Sequence, residues 1–465
     1  LDALPLLCEF LGVSDPLAKP AGVAGPDRER RLLALLKRIR LASSARQTAV
    51  LIFEDLHWFD PASERILSSI AETVDGSRTL LVVNFRPEYT AEWMGRSYYR
   101  QLALAPLGPE AVAELLANLL GRDASLAGLA ERIRAHTGGN PYFVEEVVRA
   151  LADSGALVGS AGHYRLTRPI AALEIPASVQ ALLASRIDRL PEREKRVLQA
   201  AAVIGREFAE PMLRRIAEIA EDELADALRA LVQAEFLYET ALYPDLEFAF
   251  KHPLTRDVAY DAQLRERRAG IHRALAHALI ELYGELAGER APLIADHLER
   301  AGEARDAARW HARAAEWARR RSSASAAVHW GRVRELLRGA TDGDDLALAT
   351  RAAAQLVREL ARGDVSQAEF DAASEDALSL ARQTDDSLSE GIVYLGRFLR
   401  TFVVTGAAPE AHSQLAAAAE RVTDREFRIA AIALVQTSPS VLGDPLSSRL
   451  RKVDSALALA GDDLS

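Results

Sequence analysis

The stretch Ala49-Val50-Leu51-Ile52-Phe53-Glu54-Asp55-Leu56-His57-Trp58-Phe59-Asp60 decides how this chain is read. Thr48 to Phe53 is a continuous apolar run rich in β-formers, which predicts a strand buried on both faces, as in a parallel sheet. Glu54 and Asp55 end it. Asp60 followed by Pro61 predicts an N-cap and the first residue of a helix. Upstream, residues 28–41 place Leu32, Leu33, Leu36 and Ile39 on one face of a helix. Downstream, Thr79 to Phe85 is a second buried strand that ends at Arg86-Pro87, and Gln101 to Leu104 reads as a third, short one. Strand, helix, strand at this spacing predicts a doubly wound α/β sheet.

Two acids at the carboxyl end of a buried strand stand where ligands bind in open α/β folds. One carboxylate can enter a magnesium shell while the other orients an attacking water. The competing explanation is a core strand that ends in a solvated acidic turn.

From Pro109 onwards the pattern is almost wholly helical. Residues 111–120 and 126–136 are amphipathic, Thr137-Gly138-Gly139-Asn140-Pro141 breaks the helix, and Tyr142 to Leu151 restarts it. Leu157 to Leu166 reads as a small hairpin. Helices near 178–189, 191–203, 209–217 and 221–234, followed by β-like runs at 236–243 and 246–250, spell a winged helix. Beyond His252 the chain is Ala-rich helix. Ala377 to Asp386, Leu415 to Asp424 and Ala456 to Asp463 resemble one another at a period of about 39 residues, near that of helical-hairpin solenoids. Residues 263–465 therefore read as a TPR-like superhelix, with an irregular helical bundle as the alternative. Gly339 to Asp345 is the best linker candidate.

The string Glu-Asp-Leu-His-Trp, with Asp60 following, resembles the Walker B block of STAND-class ATPases, which are P-loop ATPases used as signalling switches. The resemblance implies catalytic and magnesium-binding roles for Glu54 and Asp55, with ATP or ADP as the ligand. Arg86 stands where the family has a sensor arginine near the γ-phosphate. Thr137 to Phe143 resembles the family's Gly-x-Pro element, so Gly139 and Pro141 are implied near the adenine. Phe248-Ala249-Phe250-Lys251-His252-Pro253-Leu254 resembles the Met-His-Asp motif, implying a contact from His252 to the ADP β-phosphate. Pro253 replaces that motif's Asp. The switch would be held shut by ADP through Pro141 and His252 and released by ATP, with self-association when active.

No Gly-x-x-x-x-Gly-Lys-Ser or Gly-x-x-x-x-Gly-Lys-Thr occurs in the sequence. That loop supplies the amides and the lysine that grip a triphosphate. The resemblance places it before Leu1, which implies a truncated ATPase core and weak ATP binding by this chain alone. The implied organisation is mainly α: 1–108 the rest of an α/β P-loop core, 109–170 a helical lid, 171–262 a winged-helix domain and 263–465 the repeats. Phe250 to about Leu337, including Arg265-Glu266-Arg267-Arg268 and Ala295-Asp296-His297-Leu298-Glu299-Arg300, is similar to the regulatory region of bacterial class III adenylate or guanylate cyclases. The alternatives are the ATPase-sensor part of a large LuxR-type transcription activator and a non-enzymatic scaffold.

Composition narrows the partners. The chain has 465 residues, 49% hydrophobic and 27% charged, which is ordinary globular usage. At about 100–200 residues per domain this suggests three or four domains. A net charge of -10 with no basic block argues against direct nucleic-acid binding. The presumed recognition helix, Glu221-Asp222-Glu223-Leu224, is itself acidic. Cys8 is the only cysteine, so no disulfide forms within the chain, and a reducing cytoplasm fits. No apolar run is long enough to span a bilayer. Leu1 to Pro5 shows no leader, so no membrane partner is expected. A concave repeat surface would bind a protein or peptide ligand.

Overall fold

The computed structural model describes residues 26–437, apart from 174, 218, 242–244, 285–287, 320, 342, 364 and 406–408. The described residues form nineteen α-helices and seven β-strands. The last segment of the proposed repeat, 456–463, and the wing turn at Pro244 lie outside them. The chain divides into two compact units. One runs to Ala103 and includes Ala318–Ser323; the other comprises Leu104–Trp317 and the chain from Ala324.

In the first unit, α1 (Pro26–Arg46) precedes β1 (Ala49–Phe53), α2 (Pro61–Ala71) and β2 (Thr79–Val83). The two strands pair in parallel, with Ala49 opposite Thr79 and Phe53 opposite Val83. Arg40 of α1 donates from Nη2 to Thr79 Oγ1 at 2.9 Å. The strands are not buried on both faces. Leu51, Phe53, Leu81 and Val83 turn inward, and Phe53, Leu81 and Val83 pack around Leu56, Leu67 and Trp93. Val50, Ile52, Leu80 and Val82 form the other face and are 42–66% exposed. A continuous apolar run carries no alternation, so it cannot reveal that only one side is covered. The third strand does not form either: 101–104 is irregular, with Leu102 and Leu104 exposed.

In the second unit, α3 (Pro109–Leu120), α4 (Leu129–Thr137) and α5 (Pro141–Asp153) enclose one core of Val112, Leu116, Ile133, Val144 and Val147. The hairpin β3 (Leu157–Val158) and β4 (Arg165–Leu166) follows. Next come α6 (Val179–Asp188), α7 (Glu192–Ile204), β5 (Glu207–Ala209), α8 (Glu210–Ile216), α9 (Glu221–Gln233), β6 (Leu237–Ala241) and β7 (Glu247–Phe250). The three strands make an antiparallel sheet in the order β5-β7-β6. The short β5 was invisible in the sequence because Glu207-Phe208-Ala209 gives only one buried side chain to read.

The chain continues through α10 (Pro253–Asp261), α11 (Arg265–Tyr283), α12 (Ala291–Arg300), α13 (Ala304–Arg319) and α14 (Ser323–Leu336). One hydrophobic core runs unbroken from Ile187 to Ala314. A separate core, Ala353 to Ala431, is enclosed by α15 (Gly343–Leu360), α16 (Gln367–Gln383), α17 (Ser387–Thr405), α18 (Pro409–Arg421) and α19 (Arg425–Thr437). Each of these helices packs on the next, and α15 also packs on α17, as stacked helical hairpins do. The sequence self-similarity has a physical origin here. Ala377, Leu378 and Leu415, Ala419 are core positions near the ends of α16 and α18. Asp386 and Asp424 then cap the following helices, accepting from Ser389 N at 3.0 Å and Phe427 N at 2.8 Å. The expected linker ends inside a helix: residues 343–345 belong to α15, where Asp345 is buried and meets Arg305 at 2.7 Å. No helix among the described residues is long and apolar enough to cross a membrane.

The helical array holds two histidine pairs. His272 on α11 and His297 on α12 meet Nδ1 to Nδ1 at 2.9 Å, and the Tyr260 hydroxyl meets His272 Nε2 at 2.8 Å. His311 on α13 and His329 on α14 repeat this at 3.0 Å, with Glu299 Oε2 3.3 Å from His311 Nε2. Only one proton fits between two touching ring nitrogens, so each pair resists full protonation. Burial, then the neighbouring imidazole, pushes His272 down to about 3 and His329 down to about 4. Arg300, Arg268 and Arg256 add to the effect at His272. Burial also lowers His297, where Asp296 opposes it, and His311, where Glu299 opposes it. The unfolded chain, with ordinary histidines near 6.5, therefore takes up protons first. The stabilisation is complete above about pH 6.5 and is lost as pH falls, by up to about 1.4 kcal/mol per pH unit for a group such as His272. Urea melts should show a lower midpoint at about pH 5 than near pH 7. Equal midpoints would contradict this.

Candidate functional site

The six candidate residues divide between the two units: Glu54, Asp55 and Arg86 in the first, Gly139, Pro141 and His252 in the second.

In the first unit the parallel register brings the carboxyl ends of β1 and β2 side by side, so Glu54-Asp55 and Asn84-Phe85-Arg86 leave from one edge. Asn84 ties them together. Its N–H donates to Phe53 O at 3.1 Å, its Oδ1 accepts from Asp55 N at 2.7 Å, and its carbonyl accepts from Leu56 N at 3.1 Å. The crossing chain turns sharply at Asp55, whose φ of 56° is left-handed, a conformation Asp tolerates better than most residues. Leu56 then plugs the core at 1% exposure. Glu54 and Arg86 are exposed and Asp55 is half-buried. Asp60 serves the fold by capping α2, where it accepts from Ala62 N at 2.7 Å and Ser63 N at 3.0 Å. The Ser63 amide is the main reason its carboxyl stays below the usual range. Both ring nitrogens of His57 are shielded and lack a hydrogen-bond partner.

Magnesium in nucleotide sites is held by one or two carboxylates together with phosphate oxygens and waters. Glu54 and Asp55 at the strand edge fit that donor set. No group of three or more His, Cys, Asp or Glu among the described residues could hold a metal alone.

In the second unit α4 stops at Thr137, and Gly138 and Gly139 both take left-handed angles, φ 58° and 81°. The Asn140 side chain caps α5 by accepting from Phe143 N at 3.2 Å, and Pro141 is the first residue of that helix, exposed. Gly139 lies close to the backbone of Leu107: Leu107 N donates to Gly139 O at 2.8 Å. His252 caps α10, with Nδ1 accepting from Leu254 N at 3.1 Å. That bond requires an unprotonated Nδ1, so a neutral ring carries its hydrogen on Nε2. Burial holds the His252 pKa below its ordinary value, Glu146 opposes the shift and Arg206 adds to it.

Tyr142, next to Pro141, stacks on His252 with ring centroids 3.8 Å apart and planes 11° from parallel. Its hydroxyl lies 3.1 Å from Thr255 Oγ1. Burial pushes its pKa up to about 12, so the hydroxyl stays protonated. The structure thus joins the Gly-Gly-Asn-Pro-Tyr turn to the segment after the wing. Behind the stack lies a polar network. Buried Arg186 donates to Glu146 Oε2 at 2.5 Å, Asp153 Oδ2 at 3.0 Å and Ala234 O at 3.0 Å. Arg149 binds Glu146 and Glu235, and Lys251 reaches Glu235 Oε2 at 2.7 Å. Sequence reading missed Asn84, Tyr142 and Thr255. Only the placement of Tyr142 directly after the candidate proline could have drawn attention to it.

A family described as a domain of unknown function (DUF8739) matches residues 108–158, the segment that contains α3 to α5. An uncharacterized protein of Rhizobium meliloti (strain 1021), R02095, is 30% identical over 281 residues, 59% of this chain and 26% of that protein. The chain thus spans about a quarter of the length of that curated relative. A solved structure, the Signal Transduction ATPase with Numerous Domains protein with a tetratricopeptide repeat sensor PH0952 from Pyrococcus horikoshii, aligns with a TM-score of 0.42 and 11% identity. That alignment covers 94% of this chain and 65% of the other.

Proposed function

We propose that this chain is the nucleotide-responsive switch and ligand-sensing part of a STAND-class signalling ATPase, working in a class III adenylate or guanylate cyclase. The observation that carries the reading is the Tyr142–His252 stack. It joins the two elements that the sequence resemblance assigns to nucleotide sensing. A neutral His252 has Nε2–H left as a donor toward an ADP phosphate, because Nδ1 is used by Leu254. Glu54 and Asp55, at the common edge of the parallel pair, are the proposed magnesium-side carboxylates, and exposed Arg86 the proposed phosphate sensor. Bound magnesium would neutralise phosphate charge there. The exposed apolar side of β1 and β2 supports a larger α/β core than these two strands, since parallel strands are normally covered on both faces. The stacked hairpins of α15 to α19 are the proposed surface for a protein or peptide ligand. The acidic first turn of α9, Glu221 to Glu223, argues against the transcription-activator reading in which this helix would enter DNA.

The test uses fluorescent ADP. In the full-length protein, His252→Ala should weaken ADP binding by about tenfold, as loss of a charge-assisted hydrogen bond does, and should raise basal output. This chain by itself should bind ATP weakly. Unchanged ADP affinity in the variant removes His252 from the scheme. Tight ATP binding by the chain alone, lost on Glu54→Ala, would show that it holds a complete site and overturn the expectation of weak binding.

A further inference from the structure

A cavity of about 760 Å³ opens between α7, the end of α8 and α11 in the second unit. None of the six candidate residues lines it. Its apolar wall includes buried Ala200 and Ile216, with Ile271 and Ala274 from α11. The α11 side is bare because Gly270 and Ala274, one turn apart, face the same way. Glycine costs a helix interior about 1 kcal/mol relative to alanine. Packing does not require it at 270, since no atom lies within 4 Å of where its Cβ would stand. What the glycine does is keep the space open.

The charged part of the lining is basic. Arg196, Arg267 and Arg273 face it against one carboxylate, Glu192. Arg273 is engaged by Glu303 at 2.6 Å, but Arg267 meets Glu192 only at 3.9 Å. Arg196 is half-buried and has no ion-pair partner among the described residues. A half-buried guanidinium without a carboxylate, beside a second one loosely held, is poised for an external anion.

We propose that this cavity binds a small phosphate ester with an apolar organic body. The phosphate sits between Arg196 and Arg267, whose forked donors match its oxygens, and the body lies on Ile216, Ile271 and Ala274. With Arg273 paired to Glu303, two arginines face one glutamate, and the excess positive charge favours an anion. The cavity shares no residue with the proposed nucleotide switch, so either can fail without the other.

Phenyl phosphate is the probe, titrated calorimetrically into the whole chain, with inorganic phosphate and phenol as separate arms. Phenyl phosphate should bind at least about tenfold tighter than either fragment, because it alone uses both walls. Arg196→Gln should remove the phosphate contribution and Ala274→Leu should fill the cavity. Each should cost at least about tenfold in affinity while the circular dichroism spectrum stays that of the parent. No binding of phenyl phosphate, binding no tighter than the fragments, or equal affinity in both folded variants would overturn the proposal.

Discussion

Arg186→Ala is expected to lower the unfolding free energy by roughly 3–5 kcal/mol. Arg186 is 5% exposed, and its guanidinium lies over the Phe236 ring at 4.6 Å while donating to Glu146, Asp153 and Ala234 O. Truncation leaves Glu146, 2% exposed, with Arg149 as its remaining cation. A buried carboxylate that loses its principal partner pays a desolvation cost that the rest of the fold cannot relieve. The contacts come from three places: α5, α6 and the turn between α9 and β6. The loss should therefore appear as reduced global stability in urea melts. Arg186→Lys keeps the charge but not the fork, and should fall between the parent and the alanine variant. A loss under about 1 kcal/mol for Arg186→Ala would mean that the network is relieved by solvent.

Gly139→Ala is the second large effect, about 3 kcal/mol of destabilisation. Its φ of 81° is strained for any L side chain, and an added Cβ would lie 2.3 Å from Leu107 O and 3.1 Å from Leu107 N. Backbone cannot swing aside as a flexible side chain can, so the Leu107 N to Gly139 O hydrogen bond must break. Gly138→Ala is the control. It has φ 58° with nothing within 4 Å, so only the left-handed conformation is penalised, by about 1 kcal/mol. The difference between the two melting temperatures isolates the steric part. Equal melting temperatures would show that the contact with Leu107 opens in solution. Because the same turn starts the helix that carries Tyr142, Gly139→Ala should also disturb the stack on His252.

Much of the local structure was legible because it is encoded locally. Asp60 before Pro61 announced its helix, and its side chain makes the expected cap; the turn ending at Pro141 announced a restart, and there Asn140 proves to be the cap. The runs 48–53 and 79–85 announced strands, and these pair in parallel. The recurring Ala-Leu segments ending in Asp marked helix ends and caps in the hairpin array. Failures occurred where the deciding partner is distant. Nothing within Gln101 to Leu104 reveals that it lacks a neighbouring strand, and nothing within Gly339 to Asp345 reveals that Asp345 is buried in a helix beside Arg305.

The candidate site divides along the same line. Residue type and chain position alone determined that Glu54 and Asp55 follow a strand, that Gly139 and Pro141 form a helix-breaking turn and that His252 follows the wing. The tertiary structure alone decided that Asn84 clamps the two strand ends, that Gly139 abuts Leu107, that Tyr142 stacks on His252 and that Arg186 is buried among carboxylates. The reason lies in the range of the forces. Capping, turn geometry and side-chain periodicity act within a few residues. Stacking, ion pairing and burial depend on residues 29 to 113 positions apart, as for Asp55 with Asn84 and Tyr142 with Thr255, and exist only once the chain has closed upon itself.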